Sequence, residues 1–377
     1  MQGTKLYVYV GRMGDADMKL GHLAVLIIAL GLALGCAGPS PMSTSTLTPT
    51  PTPEPTPSPT PAPTLAPTPA LPPMPAGMLP LIDAHVHLPR ELTLDHLIKL
   101  MDETGVWMAA LMPVFFSGQN QGISDENLIL EFYKKKPDRI IPILGMQRNA
   151  LGDIRNWEEP ARVARLLQFT ESRLRTGLFR GMGEFILWHY AYSVPVKARL
   201  IKIPADTPLM KKFLDLAAKY HVPITVHYEI DEESLPSLKR MLDYDRRVTI
   251  ILAHNGGRSD PPTLKALLDE YPNLFCDWAG MTYLGLYGRT SGEYKKNPID
   301  DGTGHLRPEW KSIFEQYPDR FVGMGSDLAH PENWRNHEWQ TRQIAAFRSL
   351  LSDLSPGTAE NIGYRNALKI FAPVIPR

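Results

Sequence analysis

The sequence predicts a (β/α)8 barrel carried on a long N-terminal tether. Three observations point there. From Leu81 onward, eight short apolar runs rich in Val, Ile and aromatic residues alternate with polar–apolar segments of helical period. The stretch that holds them, residues 80–377, is about 298 residues, the length such a barrel needs. Five of the runs also place His, Glu or Asp towards their C-terminal ends, the rim where a barrel of this kind carries its chemistry. A doubly wound open sheet is the alternative, and it is weakened because no Gly-rich phosphate loop follows the first run.

The chain begins with a leader, read as residues 1–36. Leu23–Leu34 is a short apolar run preceded by Lys19 and His22 and closed by small residues, the layout of a secretory signal. Roughly a dozen apolar residues fall short of the ~20 that span a bilayer. The run closes on Ala33-Leu34-Gly35-Cys36, which resembles the bacterial lipoprotein signal, although that family usually has the Leu and the small residue in the opposite order. The resemblance implies lipidation of Cys36 and anchoring to the outer face of a bacterial membrane; an ordinary cleaved signal and a secreted protein is the alternative. Asp15 and Asp17 do not suit a positively charged leader, so translation is expected to start at Met18.

Residues 37–79 follow as a Thr/Pro-rich linker. Fifteen prolines lie between Pro39 and Pro75 and only Glu54 is charged, so this segment cannot bury a core. In extended polyproline form, at about 3.1 Å per residue, it would hold a folded domain roughly 100 Å from its anchor.

The barrel domain then occupies residues 80–377. Its strands are expected at Leu81–His87, Trp107–Phe115, Arg139–Met146, Leu178–Ile186, Pro223–Tyr228, Val248–His254, Leu274–Met281 and Phe321–Asp327. Helices are expected between them at Leu92–Thr104, Ser124–Lys136, Glu158–Arg175, Pro208–Tyr220, Glu233–Tyr244, Pro262–Tyr271 and Pro308–Gln316, with a last one at Thr358–Phe371. Residues 79–377 contain 37 Lys+Arg and 37 Asp+Glu, what remains of 40 each without Lys5, Arg12, Lys19 and Asp15, Asp17, Glu54. A neutral domain lacks the basic field on which nucleic-acid binding depends, so no nucleic-acid partner is expected. Two cysteines, Cys36 and Cys276, exclude a disulfide framework.

Chemistry enters with the first strand, Ile82-Asp83-Ala84-His85-Val86-His87. Alternation sends Asp83, His85 and His87 to one face and Ile82, Ala84 and Val86 to the other, so both imidazoles can converge on one metal ion. Other apolar runs end in Thr225-Val226-His227, Leu252-Ala253-His254 and Gly325-Ser326-Asp327, and the fourth contains Gly183-Glu184. Buried imidazoles and carboxylates must be paired or hold a metal to offset their desolvation. A divalent-metal cluster at one rim explains all six together.

These residues carry a specific resemblance. Asp83-Ala84-His85-Val86-His87, Arg180-Gly181-Met182-Gly183-Glu184, Thr225-Val226-His227, Ala253-His254-Asn255-Gly256-Gly257, Gly325-Ser326-Asp327 and Glu360-Asn361-Ile362…Asn366-Ala367…Phe371 together resemble the amidohydrolase superfamily, and its amidohydrolase-related branch in particular. The resemblance implies a TIM barrel in which His85, His87 and Asp327 hold a buried ion and Asp327 moves the proton of the attacking water. His227 would complete a one-ion site; in a two-ion site His227 and His254 would hold the second ion and Glu184 would bridge. Many two-ion relatives carry a carboxylated lysine at the bridging position, whereas Glu184 is closer to the TatD-type pattern. In some one-ion relatives His254 is an acid/base group instead. A nitrogen and oxygen donor set without thiolate suits Zn²⁺ and also Mn²⁺ or Fe²⁺.

Arg180, Trp188, Tyr228, Trp278 and Arg289 are the residues read as contacts to a small-molecule substrate, and Arg258 is a further arginine able to grip a carboxylate. Long loops at Leu187–Asp206, with His189, and at Thr282–His305 are expected to set specificity. The leading function is hydrolysis of an amide, ester or lactone-type bond. A decarboxylase or hydratase on the same ligands is the rival, and a lipid-anchored solute-binding protein is the alternative from another class.

Overall fold

Seven of the eight apolar runs become strands because they have two layers to bury against, the barrel interior and the helices outside. The eighth, Phe321–Asp327, joins the ring through isolated bridges, and each amphipathic segment becomes a helix that covers them. The computed structural model describes residues 73, 77–89, 91–113, 124–146, 160–190, 200–285, 297–329 and 331–371. The leader, Cys36 and nearly all of the Pro-rich segment lie outside the described residues.

The parallel strands are β1 (Leu81–Leu88), β2 (Val106–Pro113), β3 (Ile140–Pro142), β4 (Leu144–Gly145), β5 (Met182–His189), β7 (Ile224–Tyr228), β8 (Ile250–Leu252) and β9 (Leu274–Cys276); β6 (Ile201–Lys202) pairs antiparallel with β5. They run β1-β2-β3 and β4-β5-β7-β8-β9, with β3 and β4 forming one barrel strand interrupted at Ile143. Single parallel bridges Cys276↔Phe321 and Asp83↔Met324 insert residues 321–324 between β9 and β1 and close the ring. The (β/α)8 barrel read from the sequence is therefore the fold of the described residues.

The helices are α1 (Leu94–Thr104), α2 (Ser124–Lys135), α3 (Pro160–Leu174), α4 (Pro208–Tyr220), α5 (Leu235–Tyr244), α6 (Pro261–Glu270), α7 (Pro308–Gln316), α8 (Pro331–Arg335), α9 (His337–Ser352), α10 (Pro356–Glu360) and α11 (Asn366–Phe371), the last two joined by a π-turn, Asn361–Arg365. Local chemistry sets several ends. The Thr93, Thr207 and Asp260 side chains accept from the backbone N–H of His96, Met210 and Thr263. Gly105 (φ 68°) stops α1 in the left-handed conformation that glycine adopts without strain. The sixteen-residue α9 has no counterpart in the sequence reading.

Two apolar layers follow from the strand pleat. Ile82, Ala84, Ala110, Ile141, Ile251 and Val322 fill the barrel floor together with Ala367 and Phe371 of α11. Leu111, Met182, Val226 and Leu252 face outward onto helical residues such as Phe213, Leu238 and Phe347. The pleat is broken where it matters. Between Asp83↔Ala109 and Val86↔Leu111, β1 advances three residues against two of β2. That extra residue corrects the simple alternation expected for β1: Ile82 and Ala84 face inward with the floor, His85 and His87 face inward above them, and Val86 faces the helices. Asp83 leaves the histidine face, and its Oδ1 accepts from the backbone N–H of Ser326 at 3.0 Å.

Candidate metal centre

His85 and His87 stand with their Nε2 atoms 3.2 Å apart. From β5, Glu184 sends Oε2 to within 3.7 Å of His85 Nε2 and 3.8 Å of His87 Nε2. Its Oε1 faces the other way, 3.0 Å from His227 Nδ1 and 3.4 Å from His254 Nε2. Beyond the eighth strand, Asp327 places Oδ1 at 4.0 Å from His85 Nε2 and 3.7 Å from His87 Nε2. His85, His87 and Asp327 form one ligand group, and His85, Glu184 and His254 another. The structure thus brings together all six residues that the sequence nominated as ligands.

Two ligands each about 2.0–2.2 Å from a shared ion stand roughly 3–3.6 Å apart, and the separations here sit at or slightly beyond that spacing. The outer nitrogens support the same reading. His85 Nδ1 donates to Asp277 Oδ2 (2.9 Å) and His254 Nδ1 to the Ala279 carbonyl (2.7 Å), while His227 Nε2 lies 3.2 Å from Glu229 Oε1. Each of these three rings has an acceptor behind it and its other nitrogen turned inward, the arrangement that orients histidine ligands, whereas His87 Nδ1 is buried with no hydrogen-bond partner among the described residues. The residues fit a divalent cation.

His254 is placed by an unusual turn. His254, Asn255, Gly256, Gly257 and Arg258 are all left-handed, with φ of 56°, 50°, 72°, 59° and 67°. For each non-glycine residue this costs about 1–2 kcal/mol. Backbone bonds offset it: His254 N donates to Asp277 Oδ1 (2.9 Å), Asn255 N to the Asp277 carbonyl (3.0 Å), and Gly257 N to the Ala253 carbonyl (3.1 Å). The turn brings the buried Arg258 Nη1 to 3.2 Å from Glu229 Oε1.

Burial opposes charge throughout this pocket. On His85 it is outweighed by Asp277 and Glu184, which raise the imidazole well above its ordinary range. On Glu184 it is outweighed by His85, His227 and His254, which hold the carboxylate ionised. His87 is lowered to about 4, by burial and then by the neighbouring His85 charge, and His227 is lowered to about 4, chiefly by burial. Burial thus disfavours the charged form of His87 and His227, and an imidazole binds a metal ion in its neutral form.

The nominated substrate contacts fare differently. Tyr228 faces the helices, its hydroxyl 2.6 Å from Ser237 Oγ and donating to the Ser234 carbonyl at 3.2 Å. Trp278 is fully buried with its ring 4.4 Å from Phe314 of α7. Trp188 donates through Nε1 to Asp231 (3.3 Å) and lies under Lys202, away from the ligands. The cause is a second irregularity in β5: Ile186↔His227 and Trp188↔Tyr228 leave one extra residue, so His189 takes the inward position, 4.7 Å ring to ring from His227. Arg180 precedes β5 and its N–H donates to the Pro142 carbonyl, four residues and about 13 Å of strand rise from Glu184, at the opposite end of the barrel. Arg289 lies outside the described residues. Sequence reasoning missed Asp277 and Glu229; the only signal was an acid directly after an apolar strand in each case.

A family model described as amidohydrolase matches residues 82–372. The chain belongs to the amidohydrolase family. Among solved structures, this amidohydrolase is similar to an uncharacterised TIM-barrel protein from Bordetella bronchiseptica, with 14% identity over 74% of this chain and 83% of that one and a TM-score of 0.48. It is similar to a 2,6-dihydroxybenzoate decarboxylase from Rhizobium, with 14% identity over 78% and 98% and a TM-score of 0.46. An amidohydrolase from Burkholderia multivorans with bound zinc gives 15% identity over 78% and 99% and a TM-score of 0.43. No curated protein matches the sequence.

Proposed function

We propose that this amidohydrolase is a metal-dependent hydrolase acting on an amide, ester or lactone-type bond of a small molecule. The observation that carries the reading is the unequal exposure of the two central carboxylates. Glu184 is 4% exposed and enclosed by four imidazoles, whereas the Asp327 side chain is 21% exposed. A bound divalent cation supplies Lewis-acid polarisation of a substrate oxygen and a more acidic water. His85 and His87 would hold it with Asp327, and Glu184 with His227 and His254 would hold a second or complete the first. Asp327, open to the barrel mouth, is the group able to take a proton from a water and return it to a leaving group. His254 is a second proton-moving candidate, with Nδ1–H fixed on the Ala279 carbonyl and Nε2 turned inward.

Zn²⁺ and Mn²⁺ loading of the purified full-length protein, followed by a screen of amides, esters and lactones, tests this. Hydrolysis that disappears on chelation and falls about 10²–10⁴-fold in Asp327→Asn, with metal still bound, is the expected result. Carbon dioxide release from aryl carboxylates with no hydrolysis would replace the reading with a lyase, and a solute retained by metal-free protein would replace it with a receptor. We also propose export and lipid anchoring through Cys36, supported by the apolar leader and the Pro-rich tether. Fatty-acid labelling that persists in Cys36→Ser would refute that.

A further inference from the structure

Asp277 is the point where the two sides of the ligand cluster meet. It is 1% exposed and follows β9 directly. Its oxygens divide their work. Oδ2 accepts the Nδ1–H of His85, from β1, at 2.9 Å. Oδ1 accepts the backbone N–H of His254 (2.9 Å), the first residue of the left-handed turn, and that of Ala279 (3.0 Å). The Ala279 carbonyl then takes His254 Nδ1–H at 2.7 Å.

We propose that Asp277 is a positioning residue for the metal reaction, one carboxylate that fixes the ligand nitrogen of His85 and, separately, the backbone that aims His254. The inference rests on the metal-dependent reading above. Because the two roles use different oxygens, Asp277→Asn separates them. The amide oxygen of Asn keeps both backbone bonds on the His254 side. Its NH₂ must then face His85 Nδ1, which can satisfy it only as an acceptor. His85 would carry its proton on Nε2, the nitrogen pointing at His87 and Glu184, and would lose its lone pair for the ion. A carboxylate has no such conflict, since both its oxygens accept.

The test uses the full-length protein. Chelator-competition titration with Zn²⁺ should show Asp277→Asn weakened about 10–100-fold, the cost typical of losing a partner behind a metal ligand, with far-UV circular dichroism unchanged. His85→Ala and the double variant His85→Ala/Asp277→Asn should bind zinc equally, because Asp277→Asn acts through His85 alone. A further loss in the double variant, or unaltered affinity in Asp277→Asn, overturns the proposal. Side-chain ¹⁵N NMR of zinc-loaded wild type gives a check that needs no variant: His85 should show a protected Nδ1–H. Zinc bound with His85 protonated on Nε2 overturns the assignment of Asp277 alone, whereas no zinc uptake by wild type overturns the metal reading on which it rests.

Discussion

Gly257→Ala adds one methyl group where the backbone leaves no room. A Cβ at this position would lie 2.4 Å from Glu229 Cα, 2.8 Å from Glu229 N and 2.8 Å from Glu229 Oε2, and φ is +59°. Two of those atoms are backbone, so a rotamer change cannot relieve the overlap. The left-handed conformation costs an alanine about 1–2 kcal/mol, and overpacking a close contact adds about 1–3 kcal/mol. The sum is roughly 2–5 kcal/mol, which at about 2–4 °C per kcal/mol corresponds to a drop on the order of 10 °C in Tm. Gly357→Ala is the control. It sits in α10 with open space around it and no positive φ, so it should change stability by at most about 0.5–1 kcal/mol, and upward. Thermal unfolding of both full-length variants in chelator, followed by far-UV circular dichroism, reads the difference. Gly257→Ala melting within 2 °C of wild type, as an order-of-magnitude threshold, or Gly357→Ala falling equally far, would refute the steric reasoning.

Trp278→Ala should cost about 3–5 kcal/mol by leaving a cavity against Phe314, while Trp278→Phe should keep KM for any substrate found. A raised KM at constant kcat in Trp278→Phe would return this residue to the substrate pocket. Arg348 donates to the carbonyls of Leu79 (2.7 Å), Thr104 (3.0 and 2.8 Å) and Gly105 (2.9 Å), tying the start of β1 to the end of α1. Arg348→Ala should lose about 1–3 kcal/mol of stability in chemical denaturation without changing zinc affinity; a change in affinity with stability intact would contradict that assignment.

The barrel was legible because its strands are buried on both faces and read as continuous apolar runs. The six candidate ligands were legible because an imidazole or carboxylate at the end of such a run is costly unless it is paired or holds a metal. What remained hidden was set by geometry beyond strict alternation. The extra residues in β1 and β5 have no marker in sequence, yet the one between Asp83 and Val86 decides which way Ile82 and Ala84 face and the one between Ile186 and Trp188 exchanges Trp188 for His189. Helix α9 was missed because Gln340 and Gln343 are buried on its inner face beside Ile344 and Phe347, diluting the apolar stripe that announces a helix. Asp277 and Glu229 escaped because an acid after a strand equally suits a turn, and only the folded chain shows which imidazole it backs.

The ring of strands is fastened at its first and last members by little ladder: the Asp83↔Met324 bridge and three backbone bonds, Ala84 N to Met324 O, His87 N to Leu328 O and Asp327 N to His85 O. His85 and His87 stand on one lip of this seam and Asp327 on the other. A cation gripped by all three would act as a rivet through the join, so loading and resistance to unzipping would rise together. The join that closes the circle is also where the imidazoles of the first strand face the Asp327 carboxylate.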